Sequence, residues 1–268
     1  MSLEFRSPKY EQASIVIPEE VSKLHRPFNG VLCSNKGDEY PIKNNIIDFL
    51  GDNYRPMSLA QSTNHWKLTA YAYENIWRKR SLSILTGEDF PIEKEQELLY
   101  KWLDPQPGKL YMDIGCSTAL YARSVKKISP ESKLVALDFS TQMLEEARYK
   151  AEAEEVDLYL LRADARHMPF FGAFFDGLMM GGTLNELSDP LKVLYESRRV
   201  IKKDGTFFMM HLLRSDSWYG RLLQDSMEFG GLKFWTLKES NQLFERAGFS
   251  VSKQLKRGMV AFTKLVPA

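Results

Sequence analysis

The sequence predicts an α/β protein: a mostly parallel sheet of seven strands, covered by helices on both faces, that ends in an antiparallel hairpin. Three observations predict it. From Gly108 onward, short apolar runs alternate with amphipathic stretches of helical spacing, as strands and crossover helices do. At one strand-to-helix joint, "YMDIGCSTAL", an acid and a glycine are followed by small residues. The last two apolar runs are separated by almost nothing, so they pair antiparallel.

The elements follow in order. "GKLYMDIG" reads as a strand and "TALYARSVKKI" as a helix. "KLVALDF" is the second strand, and "STQMLEEARYKAEAE" is a helix capped by Ser140. "DLYLLRAD" and "FFDGLMM" are the third and fourth strands. "DPLKVLYESRRVI" is a helix with Pro190 in its first turn, and "GTFFMMHLL" is the fifth strand. An irregular, aromatic-rich stretch, Arg214 to Trp235, comes next, and its length and Gly230-Gly231 pair suggest a mobile cover. "TLKESNQLFERAG" is a helix with Thr236 as cap and Gly248 at its end. "FSVSKQLKR" and "MVAFTKLV" form the hairpin.

The first hundred residues differ. "GVLCSNKGDEYPIKNNIIDFL" reads as a small β-rich module, and "HWKLTAYAYENIWRKRSLSIL" and "PIEKEQELLYKWL" as two helices forming a cap. The expected division is a module over 1–56, a helical cap and linker over 57–104, and the sheet domain over 105–268, with 213–235 inserted as a lid on the substrate side.

Composition bounds the function. Hydrophobic residues make up 44% of 268, enough for a sizeable core, and the net charge of +1 argues against nucleic-acid binding by gross electrostatics. The two cysteines, Cys33 and Cys116, are far apart and read as free thiols of a reducing compartment. The polar start "MSLEFRSPKYEQ" lacks the apolar stretch of a signal peptide, and no apolar run is long enough for stable membrane insertion. A cytoplasmic protein is expected.

In open parallel sheets ligands bind beyond the carboxyl ends of the strands, where strand order reverses. Asp113 and Gly115 stand at such an end, and Gly115 permits a tight turn. Asp138 closes the second strand roughly 20 residues on, the spacing of an acid that grips a ribose diol. A dinucleotide would need G-x-G-x-x-G to seat its pyrophosphate, and "GCSTAL" fails that pattern. A ligand without phosphate demands less of the turn, and Ser117 and Ala119 are small enough to let it pass. Adenosine joined to an amino acid fits.

With those residues in place, the stretch from Asp113 to Val266 resembles the class I S-adenosylmethionine-dependent methyltransferases, near the quinone-ring methyltransferases and their cyanobacterial and plastid relatives. The first motif of that family, D-x-G-x-G-x-G, is matched by Asp113, Gly115, Ser117 and Ala119, with two glycines replaced. The resemblance implies a Rossmann-like sheet and S-adenosylmethionine as cofactor. In "ALDFSTQML" it places Asp138 on the ribose, with Phe139 and Met143 flanking the adenine. In "RADARHMPF" it sets Asp164 toward the adenine amino group, with Ala165 offering its backbone. In "FDGLMMGGTLNELSDP" it lays Met180 and Gly181 along the cofactor.

"VLCSNKGDEYPIKNNIIDFL" resembles the second half of a zinc-ribbon module found ahead of some of these enzymes. Cys33 remains, Lys36 occupies the second cysteine position, and only His25 is ligand-like upstream, so no metal is expected. The resemblance also favours Tyr73 and Trp77, one helical turn apart, as cover for the cleft. Trp218, Phe229 and Trp235 are the expected apolar mouth for a small hydrophobic or aromatic acceptor.

Methyl transfer from a sulfonium is an in-line displacement needing alignment, exclusion of water and, for some acceptors, a base. Asn185, Glu186 and His211 are the candidates, near the ends of the fourth and fifth strands. The competing reading is a catalytically silent protein that keeps the nucleoside pocket.

Overall fold

The computed structural model describes residues 3–10, 12–51 and 79–268. The front of the chain supplies β1 (Leu3–Arg6), β2 (Ser14–Ile17), β3 (Gly30–Cys33), β4 (Glu39–Lys43) and β5 (Ile46–Asp48). Helices α1 (Lys79–Thr86) and α2 (Ile92–Leu103) follow. The predicted α/β order comes next: β6 (Leu110–Ile114), α3 (Leu120–Ile128), β7 (Lys133–Asp138), α4 (Thr141–Ala153), β8 (Tyr159–Arg162) and β9 (Phe175–Gly181). The chain closes with α5 (Pro190–Val200), β10 (Ile201–Leu212), α6 (Trp218–Glu228), α7 (Leu237–Arg246), β11 (Phe249–Arg257) and β12 (Val260–Pro267).

The main sheet runs β11-β12-β10-β9-β6-β7-β8-β5-β4-β3. Its centre is parallel; β12 on one side and β4 on the other run against it, and β11 and β3 at the two edges turn back to the direction of the centre. The seven expected strands are present, with the hairpin at one edge. The expected β-rich front of the chain lies at the other edge. Strand β5 pairs parallel with β8, so the front strands lengthen the same sheet. Among the described residues only β1 and β2 form a separate ribbon.

Alternation fixes which side chains reach which face. Met112, Val135, Met180 and Phe207 enter one core layer, and their neighbours Tyr111, Leu134, Met179 and Phe208 enter the other. Every residue of β6 is buried, as a strand covered on both faces requires. Four helix starts are fixed by side chains that satisfy orphan amides: Ser140 accepts from Met143 N–H, Asp189 from Lys192 N–H, Ser217 from Gly220 N–H, and Thr236 forms a capping box with Glu239.

One expectation at the periphery changes. The stretch after β10 is not irregular, because α6 occupies its middle. Gly220 lies in the first turn of that helix, where a Cβ would stand 2.2 Å from Ser215 Oγ, so this glycine permits a close approach rather than breaking the helix. Gln224, buried, anchors α6 by accepting from Ser215 N–H and donating to the Leu213 carbonyl. Of the long helix expected before residue 86, only α1 is among the described residues; Tyr73 and Trp77 lie outside them. Among the described residues no helix is long and apolar enough to cross a membrane, and no group of three His, Cys, Asp or Glu side chains is placed to hold a metal.

Candidate functional site

Strand order reverses at β6: β7 and β8 lie to one side, β9 and β10 to the other. A cleft opens at the carboxyl ends of these strands, with about 1080 Å³ of empty space, open solvent included. Its lining includes Asp113, Gly115, Ser117, Asp138, Phe139, Met143, Asp164, Ala165 and Gly181. These come from four successive strand ends and the loops after them.

The β6–α3 loop answers why glycines could be lost. Gly115, Ser117 and Ala119 all take left-handed backbone, with φ of 63°, 50° and 58°. The turn that glycine favours is therefore kept while two glycines are gone. Its hydrogen bonds hold it there. Cys116 N–H donates to the Leu137 carbonyl at 3.0 Å, and Ser117 N–H donates to Asp138 Oδ2 at 2.8 Å. Asp113 Oδ2 accepts from Ala122 N–H, an orphan amide in the first turn of α3, at 3.2 Å. Gly115 alone has no substitute, because a Cβ there would stand 2.2 Å from Thr183 Cγ2.

Magnitudes separate the two replaced glycines. Left-handed backbone costs an L-residue about 1–2 kcal/mol, against about 0.5–1 kcal/mol for the extra unfolded-state freedom of glycine. Ser117→Gly should therefore stabilise the fold by about 0.5–1 kcal/mol in urea unfolding. Ala119 is fully buried, so glycine there also forfeits roughly 0.8 kcal/mol of methyl burial, and Ala119→Gly should be close to neutral. If both variants destabilise by more than 1 kcal/mol, the loop is not strained as described.

Asp138 is the hub. Its Oδ1 accepts from Ser140 N–H at 2.9 Å, so one carboxylate aligns the β6–α3 and β7–α4 loops. Asp164 is held by Arg166, whose Nε lies 2.9 Å from Oδ1 and Nη2 2.6 Å from Oδ2. Burial alone would raise the Asp164 pKa, but the hydrogen bonds and charge of Arg166 outweigh it and lower it. Cys116 also lines the cleft. Burial, aided by the Asp138 and Asp113 charges, pushes its thiol well above the usual range, so it is no nucleophile.

Several expected site residues stand elsewhere. Ala119 is fully buried at the N-terminus of α3 and belongs to the core. Met180 points into the opposite layer from Met179 and is also core. Trp218 and Phe229 face solvent, 72% and 91% exposed, and Trp235 is half-buried; none lines the cleft. The outward turn of α6 is the reason, since its one buried side chain is the polar Gln224.

The three candidate bases separate as well. Asn185 spends its amide on structure, accepting from Leu212 N–H and donating to the Leu212 and Lys233 carbonyls. His211 is fully buried, packs edge-on against Phe244, and has no hydrogen-bond partner at either ring nitrogen. Glu186 lines the cleft. Sequence reading missed Arg166, Thr183 and Tyr121, also lining residues. Only the neighbourhood of Arg166 to Asp164 offered a signal.

Among the described residues, five lining carboxylates, Asp113, Asp138, Asp164, Glu186 and Asp189, face one lining cation, Arg166, which is already paired. Such a set of acceptors repels phosphate and suits a ligand with hydroxyls and positive charge. Comparison with known proteins agrees: residues 112–209 match the family model described as methyltransferase domain. Residues 112–209 thus resemble a methyltransferase domain.

The cofactor that this match implies is S-adenosylmethionine. An uncharacterized chloroplastic methyltransferase of Arabidopsis thaliana is 29% identical over 157 residues, 57% of this chain and 43% of that one. Demethylmenaquinone methyltransferase of Thermotoga maritima is 26% identical over 147 residues, 55% of each chain. The chain thus spans about half the length of these curated relatives. Among solved structures, an Aquifex aeolicus SAM-dependent methyltransferase shares the fold with a TM-score of 0.59 at 19% identity, over 76% of this chain and 99% of that one. The [4+2]-cyclase SpnF shares it with a TM-score of 0.60 at 14% identity, over 78% and 96%. The fold alone therefore does not choose the reaction.

Proposed function

We propose that this chain is an S-adenosylmethionine-dependent methyltransferase that acts on a small hydrophobic or aromatic acceptor. The observation that carries the reading is the acidic cleft at the switch point, with its left-handed β6–α3 loop retained. In this reading Asp138 binds the ribose hydroxyls, Phe139 and Met143 flank the adenine, and Ala165 offers its backbone beside Asp164. Asp113 fixes the first turn of α3 and so the shape of the loop that the methionine part must pass. S-adenosylmethionine supplies an electrophilic methyl group on a good leaving group. The protein's share is alignment, exclusion of water and proton removal where the acceptor needs it. Glu186 is our candidate for that base.

The silent-protein reading rested on the lost glycines and the degenerate front module; the first support weakens, because the loop keeps its backbone without the glycines. The apolar lining from Leu120, Leu187 and Val193, together with relatives named for demethylmenaquinone, supports a hydrophobic, ring-bearing acceptor. We assign the 213–235 segment to the acceptor side, as a cover over the carboxyl edge. We place the protein in a reducing compartment, the cytoplasm in our reading, because both cysteines are free.

Titration calorimetry with S-adenosylmethionine and with NAD, then transfer of radiolabelled methyl to quinols and small acids, tests the proposal. Binding of S-adenosylmethionine and labelled product with a quinol are expected. Tight NAD binding, or cofactor binding with no acceptor turned over in that panel or in cell extract, counts against it.

A further inference from the structure

We propose that Arg162 is a positioning residue through which the front of the chain holds the adenosine side of the cleft. The inference rests on the S-adenosylmethionine reading above. Arg162 ends β8 and is not among the cleft-lining residues, so it can act only through another group. It stands in register with Asp48, the last residue of β5.

One guanidinium joins three points. Its Nη1 donates to Asp48 Oδ2 at 2.7 Å and to the Gly51 carbonyl at 3.0 Å, and its Nε donates to the Phe139 carbonyl at 3.2 Å. Asp48 is itself fixed, because its Oδ1 accepts from the Leu50 and Gly51 amides at 2.8 and 3.0 Å. Phe49 N–H donates back to the Arg162 carbonyl at 2.9 Å. The turn after β5 is thus tied on both sides of Arg162.

The other end of the tie is the β7–α4 loop. Phe139 lines the cleft and sits between Asp138, the hub carboxylate, and Ser140, the cap of α4. Holding the Phe139 carbonyl therefore fixes the peptide from which the ribose and adenine contacts project. The side chains of Arg162 and Asp48 are only 12% and 21% exposed, so solvent screens the pair less than a surface one. The front strands would then do more than cover the β8 edge. They supply the carboxylate that orients the arginine gripping the cofactor loop.

Lysine separates this role from plain edge stabilisation. Its ammonium can keep the charge pairing with Asp48, but it lacks the planar fork that reaches a second acceptor in a different direction. Arg162→Lys should raise the S-adenosylmethionine Kd roughly 5- to 10-fold, the scale of one lost hydrogen bond. Its melting temperature and the KM for the acceptor should stay near wild type. Asp48→Asn should weaken the cofactor similarly, and the double variant should be no worse than Arg162→Lys alone. A fall in melting temperature with unchanged Kd in Arg162→Lys would reduce the cluster to an edge contact and overturn the inference. So would full additivity in the double variant. A wild-type protein that does not bind S-adenosylmethionine would sink the methyltransferase proposal and this inference together, whereas the former two outcomes sink the inference alone.

Discussion

Replacing Asp138 with alanine should weaken S-adenosylmethionine binding roughly 10- to 100-fold, the effect of losing one charged hydrogen-bonding group worth about 1.5–3 kcal/mol. Two losses combine. The carboxylate leaves the ribose position, and the amides of Ser117 and Ser140 lose the acceptor that aligns their loops. Asparagine is the informative companion. It keeps the volume and one oxygen, but its NH2 cannot accept from an amide, so one of those two donors must go without its bond. Asp138→Asn should therefore fall between wild type and alanine in affinity. Calorimetry measures both, with thermal melting to show that each variant is folded. A folded Asp138→Ala protein that binds the cofactor like wild type would remove Asp138 from the site.

Much of this cleft is legible in sequence because its parts obey local rules. Asp113, Asp138 and Asp164 each follow a strand-like apolar run, and parallel strands carry their carboxyl ends to one edge. The helix caps at Ser140 and Thr236 are equally local. What sequence does not reveal is orientation. Met180 and Met179 are indistinguishable by composition, yet the pleat sends them into opposite layers and neither lines the cleft. Asn185 looks like a site residue until the positions of Leu212 and Lys233, remote in the chain, show that its amide is already used.

The aromatic stretch after β10 misleads for a similar reason. Large apolar residues normally turn inward, and the expectation of a cleft mouth at Trp218 and Phe229 follows from that rule. Here a polar anchor, Gln224, sets the rotation of α6 and leaves the apolar arc outward. The joining of β5 to β8 is likewise a long-range pairing that no local pattern in "NNIIDFL" encodes. It is this pairing that brings Asp48 to Arg162.

Acid should destabilise the protein by about 3 kcal/mol through His211 alone. The imidazole is fully buried beside Phe244, with no partner at either nitrogen, and burial lowers its pKa from 6.5 to about 4. The unfolded chain takes up the proton near pH 6.5, while the fold refuses it until about pH 4. Stability is therefore lost as pH falls through that window, and the loss levels off below it. Carboxylates such as Asp164 and Glu196, held below their ordinary values by Arg166 and Arg199 against the opposing effect of burial, lose their share lower down, from about pH 4.5. The two contributions thus separate on the pH axis. His211→Leu removes the titration while keeping an apolar side chain of similar size among the same neighbours. Urea unfolding from pH 7 to 4.5 should show wild type declining steeply and His211→Leu staying nearly flat. Parallel curves for the two proteins would mean that the histidine finds a proton acceptor in the fold, and that the acid sensitivity arises elsewhere.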